Sequence, residues 1–233
     1  MFVGHYGAAL ALKGAESRAS LGLLFLGVQF VDILFFPLVL AGVEQMNIVP
    51  GYTESTHFEL AYMPFTHGLV VSVLWAALIA GGAFVALGDR PGRRSIALVL
   101  GAAVFSHWVL DLIVHTPDLP VLGDASTKLG FGLWANAPLT FLLEAALLLG
   151  GLWFYLRATT PKVGSRLSRF GMAGLVLLLI ALNAYNLFGP PPAAFLEVFG
   201  FAMVSYLGLA GVAFWLDGLR TPADEREAAA PTR

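Results

Sequence analysis

In the stretch FSHWVLDLIVHTPDLP, His107, Asp111 and His115 follow one another at a spacing of four. Residues four apart on a helix are displaced by only about 40° around its axis, so the three share a face, and His107 and Asp111 can reach one ion or one another. An imidazole with a carboxylate one turn away recurs in metal sites, and it also serves as a ligand with its orienting partner. The plainer alternative is a buried His–Asp hydrogen bond that locks two helices together. His115 and Asp118 fall at the end of this segment, where a solvated or Pro-capped helix terminus explains them equally well.

Other ionisable residues stand in similarly apolar surroundings: Asp32 in VQFVDILFF, His67 in AYMPFTHGLVVS and Glu144 in PLTFLLEAALLL. A charged side chain at a bilayer centre costs about 2.5–3.5 kcal/mol on insertion scales, so such residues mark either function or a helix-to-helix bond. Glu144 is a candidate general base, although a ligand or a bridging role fits it too. His67, taken alone, also fits an exposed helix start.

These groups must be positioned by membrane helices. The chain has 58% apolar and 12% charged residues, against roughly 25% charged in an ordinary soluble domain, which excludes a water-soluble globule. A net charge of -2 provides no basic stripe for nucleic acid. With no cysteine, disulfides and thiolate ligands are excluded, and a metal must be held by His, Asp, Glu or water. Spans of roughly 20 apolar residues are expected at Ser20–Val43, His67–Leu87, Ser95–Val114, Pro138–Leu156, Phe170–Phe188 and Ala194–Trp215. The expected fold is therefore all-α, a polytopic bundle of six transmembrane helices. It forms a single transmembrane domain over residues 1–218, followed by a disordered, charge-rich cytoplasmic tail over residues 219–233.

Lys and Arg set the orientation, because basic loops stay in the cytoplasm. Twelve of the thirteen fall on one side of such a bundle, and only Lys128 falls on the other. Both termini are then cytoplasmic, and an odd number of spans would break the agreement. No basic residue precedes the first apolar run, so a cleaved signal peptide is not expected. This topology brings Asp32, His67, His107, Asp111 and Glu144 to compatible depths, and a shared polar cavity opening outward is the economical arrangement. Asn183 and Asn186 could line it. His5 fits only if residues 2–12, too short to span, insert part way under cover of other helices.

His5, Asp32, the pair Thr66-His67 and the run Ser106-His107-Trp108-Val109-Leu110-Asp111 together resemble bacterial inner-membrane proteins of the YdjM type. That family is labelled as membrane-bound metal-dependent hydrolases, and the resemblance covers roughly the first half of the chain. It implies an inner-membrane, multi-pass location and metal ligands at His5, Asp32, His67, His107 and Asp111. The family's Pro-Asp-x-Asp stretch is Phe30-Val31-Asp32-Ile33 here, and its His-Arg-Gly-x-Thr-His-Ser stretch is Tyr62-Met63-Pro64-Phe65-Thr66-His67-Gly68. One acid, one His and one Ser are thus absent.

Three functions compete at this stage. A hydrolase would use a divalent ion, zinc foremost with manganese or iron as alternatives, on a lipidic or lipid-linked substrate reached from the bilayer. A permease would use the same groups to relay protons or pass an ion, often as a homodimer joined through Gly-rich spans such as LIAGGAFVALG. A scaffold would use them only to bond helices. Reporter fusions test the shared topology: a fusion after Arg94 is expected to read as cytoplasmic and one after Lys128 as external. A cytoplasmic reading after Lys128 would overturn the depth argument.

Overall fold

Three of the longer apolar runs begin at side chains that satisfy the first free N–H groups of a helix. Ser20, Asn136 and Ser165 accept from the backbone nitrogens of Leu23, Leu139 and Ser168. In the computed structural model, which describes residues 1–162 and 164–223, eight α-helices result. They are α1 (Gly4–Ala15), α2 (Leu21–Val28), α3 (Phe30–Leu40), α4 (Leu69–Ala86), α5 (Arg93–Val114), α6 (Ala137–Ala158), α7 (Arg166–Phe188) and α8 (Phe195–Asp217). Helices α4 to α8 are each long and apolar enough to cross a membrane, and α2 with α3 makes a sixth candidate if counted as one span.

That first span differs from the continuous helix expected over Ser20–Val43. It breaks at Gln29 (φ −106°, ψ 4°), and the two halves meet at 48°. The break frees backbone groups inside the bundle, which Gln29 and its neighbours must satisfy. Gln29 is fully buried and donates through Nε2 to the Phe2 carbonyl at 3.1 Å.

The N-terminal segment is covered by other helices, the condition under which His5 could join the other polar groups. It forms α1 and lies within the bundle, with Tyr6, Ala9 and Leu10 fully buried in the main apolar core beside Leu24, Phe25, Leu148 and Leu179. Its Gly- and Ala-rich composition makes this fit. A methyl group added at Gly7 would run into the Leu147 carbonyl, and one at Gly151 into the Gly7 carbonyl, so α1 and α6 pack backbone to backbone.

One end of the bundle collects basic groups. Lys13 pairs with Asp217 at 2.9 Å, and Asp217 also accepts from the Tyr155 hydroxyl. Arg18 forks onto Glu16, holding that carboxyl at about 2, well below its ordinary value. The first residues of the tail expected to be disordered are instead paired: β6 (Arg220–Pro222) pairs antiparallel with β5 (Thr159–Pro161). Arg220 drives this pairing, because its guanidinium reaches the Thr159 hydroxyl and the Thr159 and Ser168 carbonyls, each at 2.8 Å. The remainder of that tail, residues 224–233, lies outside the described residues.

The opposite end carries a cap. It consists of the hairpin β1 (Gln45–Ile48) and β2 (Phe58–Tyr62), the short pair β3 (Leu119–Pro120) and β4 (Lys128–Leu129), and a single 3₁₀ turn at Leu133–Ala135. Ser55 ties the hairpin to α6 through the Thr140 hydroxyl at 3.1 Å, and Val70 of α4 bonds to Val121.

The close approach of α1 and α6 gives a test. Gly151→Ala is expected to destabilise the protein by about 1–3 kcal/mol through overpacking, whereas Gly150→Ala, whose new methyl meets nothing within 4 Å, is expected to leave stability unchanged or raise it by up to about 1 kcal/mol. Thermal unfolding in detergent measures both, and equal effects would show that the helix contact carries no weight.

Candidate metal centre

Four elements bring the polar groups together. Helix α5 supplies His107 and Asp111 one turn apart, with His115 just past its end. The first turn of α3 supplies Asp32, the residue before the Gly68 cap of α4 is His67, and α1 supplies His5. All but Asp32 are at most 2% exposed, and the Asp32 side chain is 14% exposed. His5 Nε2 lies 3.3 Å from Asp111 Oδ1, and His107 Nε2 lies 3.0 Å from Asp111 Oδ2. Asp32 Oδ1 stands 3.3 Å from His67 Nε2 and 3.6 Å from His107 Nε2.

The partners on the far side of each ring fix the chemistry of the near side. His107 Nδ1 lies 2.7 Å from the Val28 carbonyl, which only accepts, so Nδ1 carries the proton. The break at Gln29 is what leaves this carbonyl available. His67 Nδ1 lies 2.8 Å from the Thr66 hydroxyl, whose single proton is donated to Glu44 Oε2 at 2.7 Å, so His67 Nδ1 donates as well. Glu44 is buried and also accepts from the Phe65 and Thr66 amides. Burial raises its carboxyl above the ordinary value, against the lowering effect of Thr66. His115 Nδ1 donates to Asp118 Oδ1 at 2.9 Å.

In their neutral forms all three rings therefore turn an Nε2 lone pair towards Asp111 Oδ2, at 3.0 Å for His107, 3.7 Å for His115 and 3.9 Å for His67. Lone pairs facing a carboxylate repel unless positive charge lies between them. His107 Nε2 and both ring nitrogens of His5 are buried without a hydrogen-bond partner among the described residues, a condition rare enough in proteins to need a cause.

The donor set fits a divalent cation. Bonds of about 2.0–2.1 Å to nitrogen and oxygen place tetrahedral ligands about 3.4 Å apart, and the four His–carboxylate separations between the rings of His5, His67 and His107 and their nearest acids run from 3.0 to 3.6 Å. Among the described residues, two groups could hold an ion: His5, His107 and Asp111, and Asp32, His67 and His107. Both need His107, whose one free nitrogen cannot bind two ions at once, so only one of the two groups can be filled at a time.

Neighbouring groups shape this centre. The Met1 ammonium donates to Asp111 Oδ1 at 2.8 Å, and the Tyr206 hydroxyl donates to Asp32 Oδ2 at 3.0 Å. Glu144 Oε2 accepts from the Gly4 and Phe2 amides at 2.9 and 3.2 Å, capping α1 from α6 and holding His5 in place. A chamber of about 100 Å³ is lined by Asp32, His67, Asp111, His115 and Glu144 together with Asn186.

The five ligand candidates from the sequence thus meet, and Glu144 borders them. His115 and Asp118, which an ordinary helix end could have explained, form an oriented pair against Asp111. Asn186 lines the chamber, while Asn183 is buried without a hydrogen-bond partner among the described residues. Glu44, Tyr206 and the Val28 carbonyl escaped sequence reasoning. Only Glu44 left a trace there, as an acid at the edge of an apolar run. Comparison with known proteins returns no match to a family model, a curated protein or a solved structure.

The orientation of His67 can be tested through Thr66. Thr66→Val removes the acceptor for Nδ1–H with little change of shape, and it is expected to weaken zinc affinity by about 10–100-fold. Competition against a chelating dye measures this, and an unchanged affinity would remove His67 from the ligand set.

Proposed function

We propose that this chain is a multi-pass membrane protein whose His/Asp centre binds one divalent ion, zinc foremost, and hydrolyses an ester or phosphoester. The observation that carries the reading is the buried His/Asp cluster around His107, whose Nε2 faces Asp111 and Asp32 with no hydrogen-bond partner among the described residues and would be satisfied by a cation held there. The motifs that resemble YdjM-type proteins point the same way, although no family model matches the chain. In this proposal the basic end faces the cytoplasm and the cap faces outward, as the Lys and Arg distribution favours.

A divalent cation bound here would lower the pKa of water and polarise the ester oxygen. His5, His67, His107, Asp32 and Asp111 would hold it, with Tyr206 orienting Asp32 and Glu44 orienting His67 through Thr66. Glu144 borders the chamber and is the base we assign: its carboxylate takes the proton as water bonds to the acyl or phosphoryl centre. The bond to the leaving oxygen then breaks, and that oxygen takes the proton back from Glu144.

Hydrolysis is favoured over passage across the membrane by what lies beneath the centre. Between it and the basic end, Tyr6, Leu10, Leu24, Phe25 and Leu148 are fully buried in one apolar core, and a transport path would have to cross them. A scaffold role would need a proton on His107 Nε2 to bond Asp111, and it leaves both ring nitrogens of His5 without a hydrogen-bond partner among the described residues.

Elemental analysis of protein purified without chelator is expected to find about one zinc, manganese or iron per chain, with the ion lost in His107→Ala and Asp111→Asn. Glu144→Gln keeps an oxygen to cap α1, so it should retain the ion while ester hydrolysis falls by about 10²-fold or more. A folded wild type that takes up no ion even when one is supplied would overturn the proposal.

A further inference from the structure

The chamber at the metal centre is small. At about 100 Å³ it lies well below the roughly 300–1,000 Å³ of sites that enclose whole small molecules. It admits a reacting group and little more, so the rest of any substrate must lie elsewhere.

The space it leads into is different in character. A cleft of about 450 Å³ lies between the end of α7 and the start of α8. Leu182, Tyr185, Val198, Phe201 and Ala202 line it, and the loop of Pro190, Pro191 and Pro192 closes one end. Phe2, Thr56, Phe58 and Asn186 border both the cleft and the chamber, so the two spaces adjoin at these four residues. Both flanking helices are apolar enough to span a membrane, and Tyr185 and Phe201 are more than half exposed on their outer surface. The cleft therefore opens sideways, where the surrounding medium is lipid. Among its polar members, Asn186 comes from the last turn of α7, Thr56 and His57 from the hairpin, and Glu197 from the first turn of α8.

From this continuity we infer that the cleft between α7 and α8 holds the hydrocarbon chain of a membrane lipid while the lipid's ester enters the chamber beside Asp32, Asp111 and Glu144. The inference rests on the hydrolase reading for the fate of the ester, but not for the seat of the chain. A water-soluble substrate would leave the cleft walls without a partner. A lipid fills them with the same contacts that the bilayer already makes to the outer faces of α7 and α8, and it approaches without leaving the membrane. Phe2 and Phe58, at the junction, separate the apolar tail from the polar group it carries.

The test uses the full chain in nanodiscs containing a phosphatidylcholine with a photoactivatable diazirine on its acyl chain. Crosslinks should concentrate on peptides covering residues 182–202 and fall several-fold in Val198→Trp and in Ala193→Trp, the latter an exposed position at the mouth where added bulk leaves the core untouched. Crosslinks spread evenly over all spans, or unchanged in both variants, would overturn the inference. Zinc-loaded protein separates this outcome from the hydrolase reading. Both variants should keep their metal and their rate on a water-soluble butyryl ester, while kcat/KM for a palmitoyl ester falls by about tenfold or more. Concentrated crosslinks without any ester hydrolysis would retain the lipid seat and remove the reaction. Equal kcat/KM for the palmitoyl ester in wild type and variants would remove the lipid seat and retain the reaction.

Discussion

Asp111 sits on a helix apolar enough to cross a membrane, is 1% exposed, and faces the rings of His5, His67, His107 and His115. Removing a carboxylate from water costs several kcal/mol unless opposite charge and hydrogen bonds surround it. The Met1 ammonium answers for Oδ1, but Oδ2 meets only imidazole nitrogens whose protons have been drawn to the far side of each ring. Oδ2 is thus the side of this carboxylate at which a cation could be held. Much of the irregular structure follows from this demand.

Two departures from simple membrane helices serve it. An unbroken first span would have tied the Val28 carbonyl into its own helix, leaving His107 free to adopt either tautomer. The 48° break at Gln29 releases that carbonyl and turns the first turn of α3, with Asp32, toward α5. The short α1 could not span a membrane, yet it carries His5 to the centre because Gly7 and Gly151 let two backbones touch. Glu144 then does for the start of α1 what a polar residue at its own N-terminus would otherwise do. The Val3 position preceding the helix offers no side-chain cap.

Much of this was legible in the sequence because membrane burial makes charge conspicuous. The span positions of α4 to α8 followed from run length and Pro- and Gly-rich breaks, and the five ligand candidates stood out as ionisable residues in apolar runs. The bend at Gln29 did not, since glutamine carries no breaking signal comparable to that of proline and Pro37 lies inside α3 without ending it. Tyr206 was hidden for a related reason: a lone tyrosine in an apolar span looks like packing until its hydroxyl is seen 3.0 Å from Asp32. Composition read residues 219–233 as one solvated tail, and only a tertiary partner, the carbonyls at Thr159 and Ser168, makes burial of Arg220 affordable.

The orienting groups also divide the labour between membrane and cap. His107 is fixed from within the bundle by a backbone carbonyl, whereas His67 and His115 are fixed by Glu44 through Thr66 and by Asp118, all of which lie outside the helices. Trp134 of the 3₁₀ turn lies against His115 with ring centroids 4.1 Å apart, so the cap packs directly on the buried His/Asp cluster. Polar loops can be hydrated and rearranged far more cheaply than spans can, which makes the cap the element through which the centre can be adjusted. The core beneath it is closed, with Tyr6, Phe25 and Leu148 fully buried. Phe2, Phe58 and Asn186 border both the chamber and the cleft, so the cap, the residues before α1 and the end of α7 come together there.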